Sequence, residues 1–286
     1  MDNKTHFDVH GFLAVDSLGV REHLYETYQP YIKEYISLNS VAWSMQQNLE
    51  VKSDDSSSCW FFALYARLLN FTQAAYILSV TGLRVQAQTQ VRCALELLFK
   101  LGATKNNRKF HSDYYISELQ DQLSNVNSFL DSIQKDKKNK DLKIKAKSRK
   151  TEIEFELLEL LRIHHPALIE KHGDKEAIKK FRLPISEFAN KAGLADWYLR
   201  YRLASSSIHS DAKSLEYGHF GFSADGNVQF LKNEAEVEEF DDFLLSVIEI
   251  ILKAIEFFCE ALKLEQPEDK LLEIKNNLVK LCNESL

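Results

Sequence analysis

Residues 59–80 read CWFFALYARLLNFTQAAYILSV. This apolar run is entered through Asp55-Ser56-Ser57-Ser58, any of which can cap a helix, and it stops at Thr81-Gly82. Those signals predict one long helix, and the rest of the chain repeats the pattern. Residues 19–48 carry Tyr25, Tyr28, Tyr31, Ile32, Tyr35, Ile36 and Leu38 near a 3.6-residue period, with Pro30 as a kink or restart. A further helix is expected from about Leu83 to Leu101, with Val91, Ala94, Leu98 and Leu101 on one stripe and Gly102 closing it. More polar helices are expected over about 107–134 and from about Asp141 to just before Pro166. A short piece, LPISEFANKAG, opens at Pro184 and stops at Gly193. Helices over about 196–213, 235–264 and after Pro267 complete the series.

Only 9 Gly and 4 Pro punctuate 286 residues, too few for the many short strands of a sandwich or barrel. With 45% hydrophobic and 27% charged residues, disorder and low-complexity architectures are excluded. The expected class is all-α. The single departure is near residues 217–231, where Tyr217, His219, Phe220 and Phe222 precede Ala224-Asp225-Gly226-Asn227, and Val228, Phe230 and Leu231 follow. Asp-Gly between two short aromatic or branched runs is a hairpin signal. No linker or fixed-period repeat stands out, so the expectation is a multi-helix bundle forming one domain over 1–286, with one small β-hairpin.

The N-terminus lacks a basic region followed by an apolar stretch, and the apolar runs Cys59–Leu69 and Phe243–Leu262 are interrupted by Arg67 and by Glu249, Lys253, Glu256 and Glu260. Cys59, Cys93, Cys259 and Cys282 show no CxxC pairing. These features predict a cytoplasmic chain with reduced thiols and no membrane contact. The net charge of −6 is unevenly spread, because residues 232–286 hold 6 basic and 14 acidic side chains. Lys135–Lys150 (KDKKNKDLKIKAKSRK) instead carries nine basic and two acidic residues. That run either attracts phosphates or simply keeps a helix–helix connection solvated.

The segment most informative for function is Asp196-Trp-Tyr-Leu-Arg-Tyr-Arg-Leu-Ala-Ser-Ser-Ser-Ile-His-Ser-Asp211. At 100° per residue, Trp197, Tyr201, Ala204 and Ile208 form a core stripe, and Tyr198, Arg202, Ser205 or Ser206, and His209 form a polar one beside it. Arg202 and His209 are two turns apart, roughly 10.5 Å, with small serines between them. That spacing suits an imidazole that moves protons and a guanidinium that holds an anion. The competing reading is a helix-end His that bonds free carbonyls and a solvated Arg stacked on a Tyr. On the preceding apolar helix, Arg84, Gln88, Arg92, Glu96 and Lys100 form a polar row. The row is either an ordinary intrahelical ion-pair series or a partner for the His209 stripe, with Glu96 holding Arg202.

Other chemistries find little support. His164, His165 and His172 lack a carboxylate at ligand spacing, no His-Glu-x-x-His occurs, and no Cys pair completes a zinc site. Neither a Walker A motif nor GxGxxG is present, Ser207, His209 and Asp211 are sequence neighbours and not a triad assembled in space, and Gly218-His219-Phe220-Gly221 reads as hairpin packing. No metal or cofactor is expected.

Arg202, six intervening residues and His209 on a helix of an all-helical chain resemble the Arg-x(four to six)-His signature of the HEPN superfamily, the higher eukaryotes and prokaryotes nucleotide-binding domain. Residues 184–231 also resemble a bacterial family of unknown function whose members carry an upstream Arg-x-x-x-Glu helix, matched here by Arg92-Cys93-Ala94-Leu95-Glu96. In layout the resemblance covers about 57–264, implying a HEPN-like core over 56–264 with an N-terminal extension (1–55) and a C-terminal helix (265–286). The small polar residue usual after the Arg is replaced here by Leu203. The resemblance implies a homodimeric, metal-independent RNA-cleaving effector in stress or anti-phage defence, under an inhibitory or activating protein partner. His209 would be general acid or base, and Arg202 would stabilise charge on phosphorus. Ser205 or Ser206 would orient substrate or the His tautomer, and Tyr198 would support the site or stack a base. Two alternatives from other classes stay open: a non-catalytic HEPN-like module binding nucleotide, RNA or protein, and a helical scaffold whose acidic C-terminal helices meet a basic partner.

Overall fold

The computed structural model describes residues 17–47, 56–105, 108–133, 139–208, 220–223, 227–231 and 237–284, with single positions at 12, 49, 225 and 235. Among these residues the fold is all-α. Twelve helices run in order: α1 (Ser17–Thr27), α2 (Gln29–Gln47), α3 (Ser56–Ser79), α4 (Arg84–Thr104), α5 (Arg108–Ser132), α6 (Lys140–His164), α7 (Pro166–His172), α8 (Asp174–Lys180), α9 (Ile185–Lys191), α10 (Trp197–Ile208), α11 (Phe240–Leu262) and α12 (Glu268–Glu284). Between α10 and α11, β1 (Phe220–Phe222) and β2 (Val228–Leu231) pair antiparallel, with Phe220 opposite Leu231 and an irregularity between Gly221 and Phe222. Residues 209–219, and with them the expected continuation of the helix to residue 213, lie outside the described set.

The centre is the α3–α4 hairpin. Its turn closes where the Gly82 and Leu83 amides donate to the Ser79 and Leu78 carbonyls, with Gly82 at φ 78°. A side chain at Gly82 would also meet the Ala235 Cβ at 2.3 Å, so both the backbone and the neighbour require glycine. Helix α11 lies across α2, α3 and α4 and buries aromatic and branched residues along nearly its whole length, with Tyr65 stacked on Phe258 at 4.0 Å. Its charged residues hold the rim: Lys253 pairs with Glu256 at 2.6 Å, Glu249 with Arg200 and Glu260 with Lys105. Helix α12 packs on α2, where Asn277 donates to the buried Glu34 at 3.1 Å.

Helices α7 and α8 were not expected, α11 begins at Phe240 and not near Ala235, and of the breaks signalled at Pro30 and Gly102 only the first holds. Pro30 restarts the first helical stretch, so that α1 ends at Thr27 and α2 begins at Gln29. Gly102 does not close α4, which continues to Thr104. It is buried inside the helix, and a Cβ there would meet Phe257 Cε2 at 2.4 Å and the Ala192 Cβ at 2.7 Å. The glycine permits close approach of α9 and α11 rather than ending a helix.

Helices α5 and α6, 25 residues each, form a long hairpin with a core of its own. Ile116, Leu119 and Leu123 of α5 meet Ile153, Leu157 and Leu161 of α6, closed by Ala177 and Phe181. Phe110 and Tyr114, at the base of α5, join the main core through Phe188. This hairpin therefore stands on the bundle as an arm about 37 Å long.

Candidate functional site at the α4–α10 junction

Helices α9 and α10 pack on α4, and their contact contains the polar groups that periodicity singled out. Tyr201 and Ala204 are buried, Trp197 and Tyr198 half-buried, and Arg202 exposed, while the side chain of Ile208 lies outside the described residues. From α4, Arg92 crosses to α10. Its Nε donates to Ser205 Oγ at 2.9 Å and its Nη2 to Tyr201 Oη at 2.9 Å, while the guanidinium carbon lies 5.0 Å from the Tyr201 ring centroid. Ser205 Oγ in turn donates to the Tyr201 carbonyl at 2.8 Å. The Tyr198 ring stacks on Tyr201 at 5.7 Å and 17°. Arg92 thus fixes the rotation of α10, and with it the direction in which Arg202 points.

Charge alternates away from this junction. Glu96 lies 3.9 Å from Arg92 Nη2 and 3.0 Å from Lys100 Nζ, and Lys100 reaches Glu118 of α5 at 3.4 Å and sits 4.8 Å over the Tyr114 ring. Burial pulls the Lys100 ammonium down, but Tyr114, Glu96 and Glu118 outweigh it and leave its pKa above the ordinary value. Burial and Glu118 push Tyr114 up to about 12 against the opposing Lys100. Burial also raises Tyr201 and Cys93, in each case against Arg92. Asp121, one turn beyond Glu118, is raised by burial and by Glu118 itself. Lys100 and these tyrosines therefore titrate further above pH 7 than their ordinary values would place them.

Of the two readings of Glu96, the structure bears out the intrahelical one. Its partners are Lys100 and Arg92 on its own helix, and Arg202 is exposed on α10; the cross-helix link is made by Arg92 through Tyr201 and Ser205. Nor is the polar row continuous, since Arg84 turns to the Glu238 and Glu239 carbonyls and covers Phe243 at 4.6 Å. Ser206 lies within α10, but its side chain and the whole of His209 fall outside the described residues. Sequence reasoning missed the Tyr201 hydroxyl, which was assigned only to the core stripe, and a part-buried His165 Nε2 to Asp113 Oδ1 contact of 2.6 Å. Partners 109 and 52 residues apart leave no periodic signal. Among the described residues no three His, Cys, Asp or Glu side chains converge as a metal-ligand group, and no helix is long and apolar enough to cross a membrane. No disulfide joins any of the four cysteines among the described residues.

The model of a family of unknown function, DUF5677, matches residues 59–228, more than half of the chain. The chain belongs to DUF5677. The DUF5677 match runs from α3 into β2, so it contains both helices of the α4–α10 junction and the whole arm, and leaves out α1, α2, α11 and α12. No curated protein and no solved structure matches the chain.

Proposed function

We propose that this DUF5677 chain is a HEPN-like, metal-independent endoribonuclease whose active face is the polar side of α10. The observation that carries the reading is the Arg92 bridge to Tyr201 and Ser205, which holds α10 in one rotation with Arg202 exposed on the adjoining face. In this reading Arg202 receives a phosphodiester through its planar donor fork and stabilises charge developing on phosphorus. His209 takes the proton of the 2′-hydroxyl as that oxygen attacks phosphorus, or returns a proton to the departing 5′-oxygen. Arg92, Tyr201 and Ser205 are positioning residues in this reading, because Arg92 turns its Nε and an Nη2 donor onto the other two, and Ser205 both accepts from Arg92 and donates to the Tyr201 carbonyl. Ser206, the other serine of the polar stripe, orients substrate in this reading.

The proposal includes a homodimer in the cytoplasm, with RNA as substrate, a protein partner that restrains or triggers cleavage, and a role in stress or anti-phage defence. Leu199 and Leu203, each 62% exposed and one turn apart on α10, support a second copy on that helix. The small hairpin before α11 belongs to the same family-like layout. A second reading, a non-catalytic RNA-binding module, is favoured by the mutual satisfaction of Arg92 and Ser205. Incubation with total RNA and tRNA in EDTA separates the two. Arg202→Ala, at an exposed position, should keep the wild-type melting temperature and lose cleavage. Cleavage by this variant at the wild-type rate overturns the assignment.

A further inference from the structure

The α5–α6 arm carries a charge pattern that its fold does not use. Along α6, basic residues from Arg149 onward are matched by acids: Arg149 pairs with Glu152 at 3.2 Å and Lys150 with Glu154 at 3.7 Å. Before that point the pairing stops. Lys140, Lys145 and Lys147 are exposed, and among the described residues no ion pair engages them. Asp141 is the one acid between Lys140 and Lys150, and the facing end of α5, residues 122–133, offers a single acid, Asp131. The partner helix therefore does not neutralise the tip. A helix whose lysines merely keep it solvated ordinarily interleaves Glu at i+4 spacing, as α6 itself does further along.

Helical phase excludes a single lipid-facing side. At 100° per residue Lys140 and Lys147 fall on one flank of α6 and Lys145 on the other, while the exposed Leu142 (48%) and Ile144 (59%) lie on different sides as well. Positive charge wrapped around a protruding tip suits a phosphate backbone that passes over it. The arm is rooted at the junction described above through Lys100 and Glu118. From Glu118 to the end of α5 is about 20 Å, a distance that a few nucleotides of RNA span.

We infer that the tip of the α5–α6 arm, through Lys140, Lys145 and Lys147, binds the phosphate backbone of the RNA whose cleavage is proposed at α10; the choice of RNA as the polyanion rests on that proposal. The test is fluorescence anisotropy of a labelled single-stranded RNA of about 20 nucleotides between 50 and 200 mM salt. It compares wild type, K140Q/K145Q/K147Q, the charge-keeping K140R/K145R/K147R, and a control of equal charge loss, K171Q/K175Q/K180Q. Three lost phosphate contacts flatten the log K against log salt slope by about 2, so over this range the wild type loses roughly 20-fold more affinity than the Gln triple. The Arg triple and the control should follow the wild type. Equal weakening in the Gln triple and the control would reduce the effect to net charge and overturn the inference. So would arm-dependent binding to phosphatidylserine vesicles with none to RNA. RNA binding through the arm combined with cleavage unaffected by Arg202→Ala refutes the active-site proposal alone, and cleavage with arm-independent binding refutes the arm alone.

Discussion

The Arg92–Tyr201–Ser205 bridge predicts a measurable coupling between α4 and α10. Arg92→Met keeps the apolar stem and removes the guanidinium. The variant loses two charge-assisted hydrogen bonds of 2.9 Å and a contact with the Tyr201 ring at 5.0 Å, together with a 3.9 Å approach to Glu96 too long to add much. A hydrogen bond to a charged group contributes about 1.5–3 kcal/mol when buried. The Arg92 side chain is 26% exposed, so each bond is discounted to about 1 kcal/mol, and the whole substitution should cost about 2 kcal/mol. Tyr201→Phe removes only the Nη2 acceptor, at about 1 kcal/mol. Since both changes delete the same bond, the double variant should be less destabilised than the sum of the singles by about 1 kcal/mol. Urea unfolding of the four proteins, with m-values unchanged, gives the number. Additivity within about 0.3 kcal/mol would show that Arg92 does not hold α10, and the reasoning that aims Arg202 outward would fall with it.

Two further predictions concern the core. Gly102→Ala gains about 1 kcal/mol of helix propensity but forces a methyl to within 2.4 Å of Phe257 and 2.7 Å of Ala192, so the net effect should be a loss of about 1–2 kcal/mol, read as a melting temperature lower by roughly 4 °C; an unchanged or higher value would contradict the packing. His111, edge-on to Trp60 at 5.5 Å with a buried, unpartnered Nε2, has its pKa lowered by burial. The folded state binds its proton less readily than the unfolded chain, so this contribution to stability is complete above about pH 6.5 and is lost as pH falls from there through the lower folded-state pKa. His111→Phe should therefore gain stability relative to wild type between pH 7.5 and 5; a difference constant with pH, measured by thermal unfolding, would be the contrary result.

Much of this architecture was legible because it is periodic. The long apolar runs and the Ser, Pro and Gly signals place most of the helices to within about five residues, and the buried Tyr201 and Ala204 and exposed Arg202 of α10 sit where 100° per residue puts them, but α7 and α8 were not among the expected helices. What periodicity cannot carry is who meets whom. Gly102 looks like a stop signal until Phe257 and Ala192 are brought against it from two other helices. Glu96 is four residues from Arg92 and from Lys100, and those local partners prevail over a remote Arg202. The bond that defines the junction joins Arg92 to a tyrosine hydroxyl 109 residues away, at a position whose ring alone satisfies the core pattern. The lysine run was visible as composition. Its lack of acidic partners became visible only once α5 lay beside it.

The central claim is that α10 presents a phosphodiester-cleaving face, and the chemistry of the cut ends tests it most directly. Wild type and His209→Ala are incubated with tRNA in EDTA and the products mapped at both termini. Attack by the 2′-oxygen with departure of the 5′-oxygen predicts 2′,3′-cyclic phosphate and 5′-hydroxyl ends, formed by the wild type and absent with His209→Ala. Cleavage that persists in the variant, 3′-hydroxyl and 5′-phosphate ends, or intact tRNA with both proteins would contradict the account.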